Sequence, residues 1–521
     1  MRRELTKYLR LPTMSRMETG AVLSRRPAVV GGLLLILMLL TGLGWAVSSP
    51  VESSPDDNYH LGSIWCPRPA GESCQTSVVD GDPVVRVPIA VADESMRCYV
   101  LQSNKSAGCA LGYDDSHMVW SKRFDNGAYP IGYYHFHHLL VGKDVQTSVL
   151  VMRGVNVLIA VTLLGTIGFC APRQLRRPFI GAIVASWVPM GVYFIASNNP
   201  SSWAVSGLMA YSAATFMAPQ QNGRRRIALV ICAVIGAVMC LTSRYDAAFF
   251  LLVVGLALLF AVPWKRGGWI GLSALAGVAL LGFGTFMASS QVSKVAYFLR
   301  VFEASDPAKS ADKQPFFEKL LVGLETAPKY LGGFWGHTWT PGWHDVPLGA
   351  RAPYVLTIMA AGAFVAVGLR RGGWRKWTAL AIIVGSMVLL PALFYANGAM
   401  DTIELYQARY IFPLLAPTFF LMLAVDQDEG AWFTVPQAVW VTVFISLCQT
   451  ITLHTLLLRF VQGAQERWEL DLNKHIEWWW SAPVSPMMVW FFTTCFATAA
   501  LGTAIAMLTR TAEKHEAPQE S

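Results

Sequence analysis

Charged side chains are scarce in this chain: Asp, Glu, Lys and Arg together make up only 14% of its 521 residues. A soluble protein of this length would carry about a quarter. In their place the chain has repeated apolar runs of about 18 residues or more, the length that crosses a bilayer. The composition therefore excludes an ordinary soluble protein and predicts an all-α polytopic membrane protein.

Nucleotide-binding motifs are also missing from the chain. It contains no G-x-G-x-x-G loop and no Walker-type loop, so ATP-driven chemistry has no support. No internal repeat recurs at a fixed period. The net charge of +8 is not gathered into a basic stripe with interleaved aromatics, and the chain therefore predicts no nucleic-acid partner.

The positive charge lies mainly in short loops between apolar runs, which sets the orientation of a membrane protein. About twelve transmembrane helices with both termini cytoplasmic satisfy this rule in all but one short inner loop, the acidic 426–429. The third helix is predicted as one run over 179–196. The predicted order is a basic cytoplasmic tail (1–27), helix one (28–48), a first extracytoplasmic segment (49–147), helices two to seven (148–288), a second extracytoplasmic segment (289–353), helices eight to twelve (354–508) and a cytoplasmic tail (509–521).

The first outer segment holds four of the nine cysteines. Four cysteines in one exported loop suit two disulfides, with three pairings open, or a zinc site with unfamiliar spacing. We favour Cys66–Cys74 and Cys98–Cys109 because both close short loops. β-like runs are predicted at 84–91 and 98–102.

The second outer segment contains two stretches with helical periodicity. Residues 292–302 and 316–324 each place apolar side chains on one face of a helix. Such stretches commonly lie flat in the membrane interface.

Helix one surfaces at a stretch that could carry chemistry, Ser53 to His60. It contains the adjacent carboxylates of Asp56 and Asp57 and the imidazole of His60, a set suited to acid-base or metal chemistry. The alternative is a solvated turn, since Ser, Pro and Asp are ordinary turn residues.

Three arginines lie at outer helix ends on this topology: Arg153, Arg244 and Arg409. Each could bind a lipid phosphate or pair with a carboxylate of the outer segments. The alternative for each is snorkelling to the interface. The histidines at 135, 137 and 138 could ligate a metal, although the interleaved aromatics favour interfacial placement.

Several spaced motifs resemble a domain-of-unknown-function family of predicted bacterial multi-pass membrane proteins. A Pro-Asp-acidic-x-x-His motif follows helix one, and Tyr129-Pro130 with Tyr133 precedes helix two, which carries Arg153 early in its length. Two further motifs are Asn199-Pro200-Ser201 between helices three and four and 407–413 (QARYIFP) at the start of a late helix. The family is related in layout to the GT-C glycosyltransferases, which use polyprenyl-phosphate sugars.

The resemblance implies a GT-C-like fold and roles for particular residues. Asp56 and Asp57 occupy the place of the catalytic acidic residue after helix one. Arg409 takes that of the donor-phosphate contact, with Arg244 or Arg153 beside it. His60 and Tyr410 would support them. This chain departs from the related pattern at two places. The pattern usually has Asp-Glu at the position of Asp56-Asp57, and it usually has Gly at the position of Ala408.

These features together favour a glycosyltransferase of the bacterial plasma membrane. It would move a sugar from a polyprenyl-phosphate donor to a glycan, lipid or protein acceptor of the cell envelope on the outer face. No cofactor is required by any motif, and a divalent cation at the carboxylates is left open. The alternatives are a transporter or flippase of an envelope lipid or polysaccharide, and a non-catalytic assembly subunit.

Overall fold

A computed structural model gives a mostly helical chain. It describes residues 16–92, 98–264, 268–289, 315–337, 339–348, 352–398, 400, 402–403, 406–426, 432–464 and 469–509. The predicted all-α character is confirmed, with one small sheet in the first outer segment. The helices are α1 Arg16–Ala46, α2 Asp57–Trp65, α3 Ala70–Ser73, α4 Gly132–His138, α5 Val145–Cys170, α6 Arg173–Ala185, α7 Pro189–Ile195, α8 Ser201–Met217, α9 Gly223–Ser243, α10 Tyr245–Ala261, α11 Trp269–Met287, α12 Phe316–Glu325, α13 Ala327–Gly332, α14 Ala352–Gly368, α15 Trp374–Ala396, α16 Leu415–Ala424, α17 Val435–Val461 and α18 Pro486–Thr509.

Seven of these helices are long and apolar enough to cross a membrane, or eight if the bent pair α6 and α7 forms one span. Every apolar run predicted from the sequence contains a helix in the described residues, but α10, α14 and the stretch Phe412–Ala424 are short. The chain is thus a multi-pass membrane protein. A count of twelve spans stays a prediction. Helix α1 begins at Arg16, before the boundary predicted at residue 28.

The third predicted helix is not one straight run. It consists of α6 and α7, which meet at an angle of 94°. The Ser186 hydroxyl donates back to the carbonyls of Ala182 and Ile183 at the end of α6, and Pro189 opens α7 without a backbone N–H. The sequence analysis missed the bend because both halves are apolar.

The first outer segment forms a small disulfide-bearing unit. Cys66 pairs with Cys74 and Cys98 with Cys109, the favoured pairing. Strand β2 (Asp82–Pro88) lies between β1 (Thr76–Val79) and β3 (Met118–Ser121), and both pairings are antiparallel. The prediction of a strand at 84–91 is confirmed in part. The strand predicted at 98–102 is wrong, because this stretch forms a turn at the Cys98–Cys109 disulfide. Leu101, within the turn, has a φ of 58°.

The second outer segment holds one of its two predicted helices within the described residues. Helix α12 matches the prediction for 316–324 and exposes Phe317 and Leu321, as an interfacial helix would. The other predicted helix, 292–302, lies outside the described residues.

A buried ion pair joins both outer segments to the helical bundle. Arg459, in the last turn of α17, binds the Asp345 carboxylate of the second outer segment at 2.6 Å. Its guanidinium also donates to the carbonyls of Tyr99 and Lys105 in the first outer segment. Because Arg459 is fully buried, loss of either partner would leave an uncompensated charge.

We expect Arg459→Gln to lower the stability of the folded protein by about 3–5 kcal/mol, the usual effect of breaking a buried ion pair. Thermal unfolding in detergent measures the effect. Lys474→Gln is the matched control, since Lys474 pairs with Glu469 on the exposed surface and should change nothing measurable. Equal unfolding temperatures for the two variants would contradict the role given to Arg459.

Candidate functional site

The chain that leaves helix α1 is held by Arg153 of α5. Its guanidinium donates to the carbonyls of Ala46, Ser49 and Pro50 at 2.7–3.1 Å. One of them, the carbonyl of Ala46, belongs to the last residue of α1, where no intrahelical partner exists. Arg153 is only 1% exposed. Its contacts make it a structural clamp for the turn after α1, and the donor-phosphate role suggested for it stays a prediction.

Asp57 also holds the turn that follows α1. Its carboxylate accepts hydrogen bonds from the Ser54 backbone N–H at 3.1 Å and from the Ser54 hydroxyl. Its burial raises the pKa of this carboxyl to about 6, although the charge of Arg153 and the Ser54 bonds act in the opposite direction. Asp57 is fully buried, and its hydrogen bonds stabilise the turn.

Asp56 stands in a left-handed backbone conformation, with φ 64° and ψ 13°, directly before α2. Such a conformation costs roughly 1–3 kcal/mol when surrounding contacts must impose it, although Asp tolerates it better than most residues. Two donors fix the preceding carbonyl, that of Pro55: the side-chain amide of Asn199 at 2.9 Å and the Arg409 guanidinium at 3.1 Å. The Asp56 side chain is thereby turned outward and is 36% exposed.

Two arginines face the Asp56 carboxylate. Arg409 contacts one oxygen at 2.6 Å, and Arg123 approaches the other at 3.8 Å. Burial acts to raise the pKa of Asp56, but the charge and hydrogen bond of Arg409, with Arg123 adding to them, hold it below its usual value. Asp56 is therefore an ionised, partly accessible carboxylate at neutral pH.

Arg244 forms the other side of the site. It makes a two-pronged ion pair with Asp246, at 2.9 and 2.6 Å. Its guanidinium lies 5.7 Å from the ring centres of both Tyr129 and Tyr410. Tyr410 also lies under Arg409, at 5.1 Å, so this one ring contacts both arginines.

His60 lies near the Asp56 carboxylate and is surrounded by tyrosine side chains. Its Nδ1 is 2.9 Å from the Tyr134 hydroxyl, and the Tyr59 and Tyr129 rings meet it edge-on. Burial lowers the pKa of His60 to about 3, aided by the nearby arginines and opposed by Asp56. The imidazole is thus neutral at physiological pH and cannot serve as a general acid there.

The other predicted histidines do not converge. His135, His137 and His138 of α4 make separate contacts with the Arg68 carbonyl, the Asn156 side chain and the Ile64 carbonyl. No group of three or more metal-ligating side chains occurs within the part of the chain that the structure describes.

An apolar cavity inside the membrane region leads toward the site. We call it the first groove; it has a cavity volume of about 100 Å³ and lies between α1, α5, α7, α8 and the start of α16. Val192 and Ile195 line it and flank Tyr193, whose hydroxyl donates to the Ser53 carbonyl beside the Asp56 turn. Phe412, also in its wall, follows Arg409 by three residues.

The structure brings Asp56, His60, Arg244, Arg409 and Tyr410 together and directs Arg153 and Asp57 to the supporting turn. Sequence reasoning missed Arg123 and the pairing of Arg244 with Asp246. Arg123 reaches the site because its backbone packs so closely against α2 that a side chain at Gly62 would collide with the Arg123 carbonyl, and no motif in the sequence indicates this contact.

Comparison with known families agrees with this membrane architecture. The chain belongs to a family described as predicted membrane protein (DUF2142), whose model matches residues 39–418. The matched region includes Asp56, Arg153, Arg244 and Arg409. No curated protein and no solved structure matches the chain.

The raised pKa of Asp57 predicts a pH effect with a definite sign. Between pH 3.8 and about 6 the folded protein holds the Asp57 proton more tightly than the unfolded chain, so this group's contribution to stability falls as pH rises. We expect Asp57→Asn to lose that contribution, so that its stability relative to the parent protein improves from pH 4 to pH 7. Unfolding temperatures measured in parallel test this, and a constant difference would contradict it.

Proposed function

We propose that this protein is a GT-C-like glycosyltransferase with about twelve transmembrane helices in the bacterial plasma membrane. It transfers a sugar from a polyprenyl-phosphate donor to a cell-envelope acceptor on the outer face, with both termini in the cytoplasm. The observation that carries the proposal is the partly exposed Asp56 carboxylate, held 2.6 Å from Arg409 at the surface end of α1.

Asp56 would act as the general base. The acceptor hydroxyl oxygen attacks the anomeric carbon, its proton passes to the Asp56 carboxylate, and the bond from that carbon to the phosphate oxygen breaks. The configuration at the anomeric carbon is inverted. A positioned base of this kind typically contributes 10²–10⁴-fold in rate.

The arginines would stabilise the departing polyprenyl phosphate. Three guanidinium groups, those of Arg123, Arg244 and Arg409, face two carboxylates, those of Asp56 and Asp246, and one positive charge is left over. Cations held in place where negative charge develops in the transition state are among the strongest catalytic devices. The surplus also favours binding of an anionic donor.

Donor binding would itself prepare the base. Asp56 occupies Arg409 in the free protein, and the donor phosphate would compete for the same guanidinium. Once Arg409 turns to the phosphate, the Asp56 carboxyl loses its main pKa-lowering partner and becomes a better proton acceptor.

The first groove would hold the polyprenyl tail. It is lined almost wholly by apolar side chains and leads to the turn that presents Asp56. Burying the tail between helices would bring the phosphate to the arginines.

One observation favours a second candidate function, transport of an envelope lipid or polysaccharide. Transporters often bind substrate where a membrane helix is interrupted, and α6 and α7 meet at 94°. Ser186 and Trp187, at this break, line the first groove. Accumulation or flipping of a lipid-linked sugar in proteoliposomes, without transfer, would favour this function.

We expect Asp56→Asn to lower transfer by about 10²–10⁴-fold. The assay follows labelled sugar from a panel of polyprenyl-phosphate sugars to envelope acceptors in proteoliposomes. Asp114→Asn is the matched control, because Asp114 lies in the same outer segment and its exposed carboxylate accepts hydrogen bonds from the backbone N–H and the hydroxyl of Ser116. Its transfer rate should equal that of the parent protein.

If Asp56→Asn has the same unfolding temperature and the same transfer rate as the parent protein, Asp56 is not the general base. If the combined change of Asp56, Asp57 and Arg409 left the cellular function intact, a non-catalytic assembly role would be favoured instead.

A further inference from the structure

We propose that the membrane face opposite Asp56 carries a separate binding site for an anionic phospholipid. The site is a second apolar groove between α1, α5 and α6, with Arg176 at its mouth. The headgroup phosphate would bind the Arg176 guanidinium, and an acyl chain would lie in the groove. This inference does not depend on the glycosyl transfer proposed above.

The second groove has a cavity volume of about 130 Å³. Apart from Arg176 its walls are apolar or glycine, with Leu34, Phe179 and Ile180 among the lining residues. Gly168 also lines the groove, and a Cβ added there would lie 3.5 Å from the Phe179 ring. Such a lining suits a hydrocarbon chain.

Arg176 lies where the groove meets the membrane surface, in the first turns of α6. Its only hydrogen bonds among the described residues go to the carbonyls of Phe169 and Ala171, both at 3.3 Å, beyond the usual range for N–H···O bonds. A phosphate oxygen is a stronger acceptor for a guanidinium than a carbonyl at that distance.

Among the described residues, the charged side chains that act on Arg176 are both arginines. The charges of Arg225 and Arg173 act on it, and no carboxylate among the described residues forms an ion pair with any of the three. Like charges gathered without a counter-ion repel one another, and an anion placed between them relieves that repulsion. Basic pockets between membrane helices are typical sites for anionic headgroups.

The position of its charged end favours a phospholipid of the nearer leaflet over the donor of the transfer reaction as the occupant of the second groove. The first groove, which opens toward Asp56, already offers a place for a polyprenyl tail. The second groove meets it only at Met38, Val161, Leu164 and Ile183 and has its charged end at the opposite face. The phosphate of its occupant therefore lies on the side away from Asp56.

Native mass spectrometry of the full chain in detergent tests the site, with phosphatidylglycerol as the probe and phosphatidylcholine for comparison. We expect phosphatidylglycerol to be retained more strongly and Arg176→Gln to weaken its binding about tenfold, the usual effect of losing a charge-assisted contact. Arg226→Gln is the matched control. It removes one positive charge from an exposed position on the same face that does not line the groove, and it should bind like the parent protein.

A second variant tests the groove independently of charge. Ile180→Trp fills the groove and should weaken phosphatidylglycerol binding at an unchanged unfolding temperature. Equal losses for Arg176→Gln and Arg226→Gln would overturn the proposal by showing diffuse surface attraction. Arg176-dependent retention of polyprenyl phosphate in place of phosphatidylglycerol, or displacement of the lipid by inorganic phosphate at millimolar concentration, would overturn it as well.

Discussion

The buried guanidinium of Arg153 makes the contacts on which the turn after α1 depends. A membrane helix that ends at the bilayer surface leaves carbonyl groups without donors, and Arg153 supplies donors to those of Ala46, Ser49 and Pro50. The turn so fixed leads to Pro55, whose carbonyl is held by Asn199 and Arg409. Without these contacts the left-handed conformation of Asp56 would have nothing to impose it.

The two adjacent aspartates of this turn, Asp56 and Asp57, lie in different environments. Asp57 points inward, bonds with Ser54 and has its pKa raised by burial. Asp56 points outward, and the pKa of its carboxyl is held low by Arg409. Neighbouring carboxyl groups whose environments push their pKa values apart are a common arrangement in catalytic sites. Here the division supports giving the reactive role to Asp56 and the structural one to Asp57.

Sequence patterns were sufficient for the helical class and the disulfide pairing, and the family resemblance assigned Asp56 and Arg409 to one site. The helical class follows from the apolar runs and the loop charges, and the disulfide pairing follows from the short spacings between the cysteines. The resemblance rests on the order of the motifs. Sequence patterns were insufficient for Arg153, because an arginine near a helix end has the same pattern whether it binds a lipid phosphate or buried carbonyls. The bend between α6 and α7 was also hidden, since both halves are apolar. Arg123 was missed because only the packing of α2 against its backbone brings it to Asp56.

The central claim is that Arg409 binds the donor phosphate while Asp56 faces the sugar. A cryo-EM structure with a non-cleavable polyprenyl-phosphonate sugar would test it most directly. We predict the phosphonate within about 3 Å of the Arg409 guanidinium, the tail in the first groove and the Asp56 carboxylate turned toward the anomeric carbon. An analogue bound elsewhere, with Asp56 still paired to Arg409, would contradict the claim.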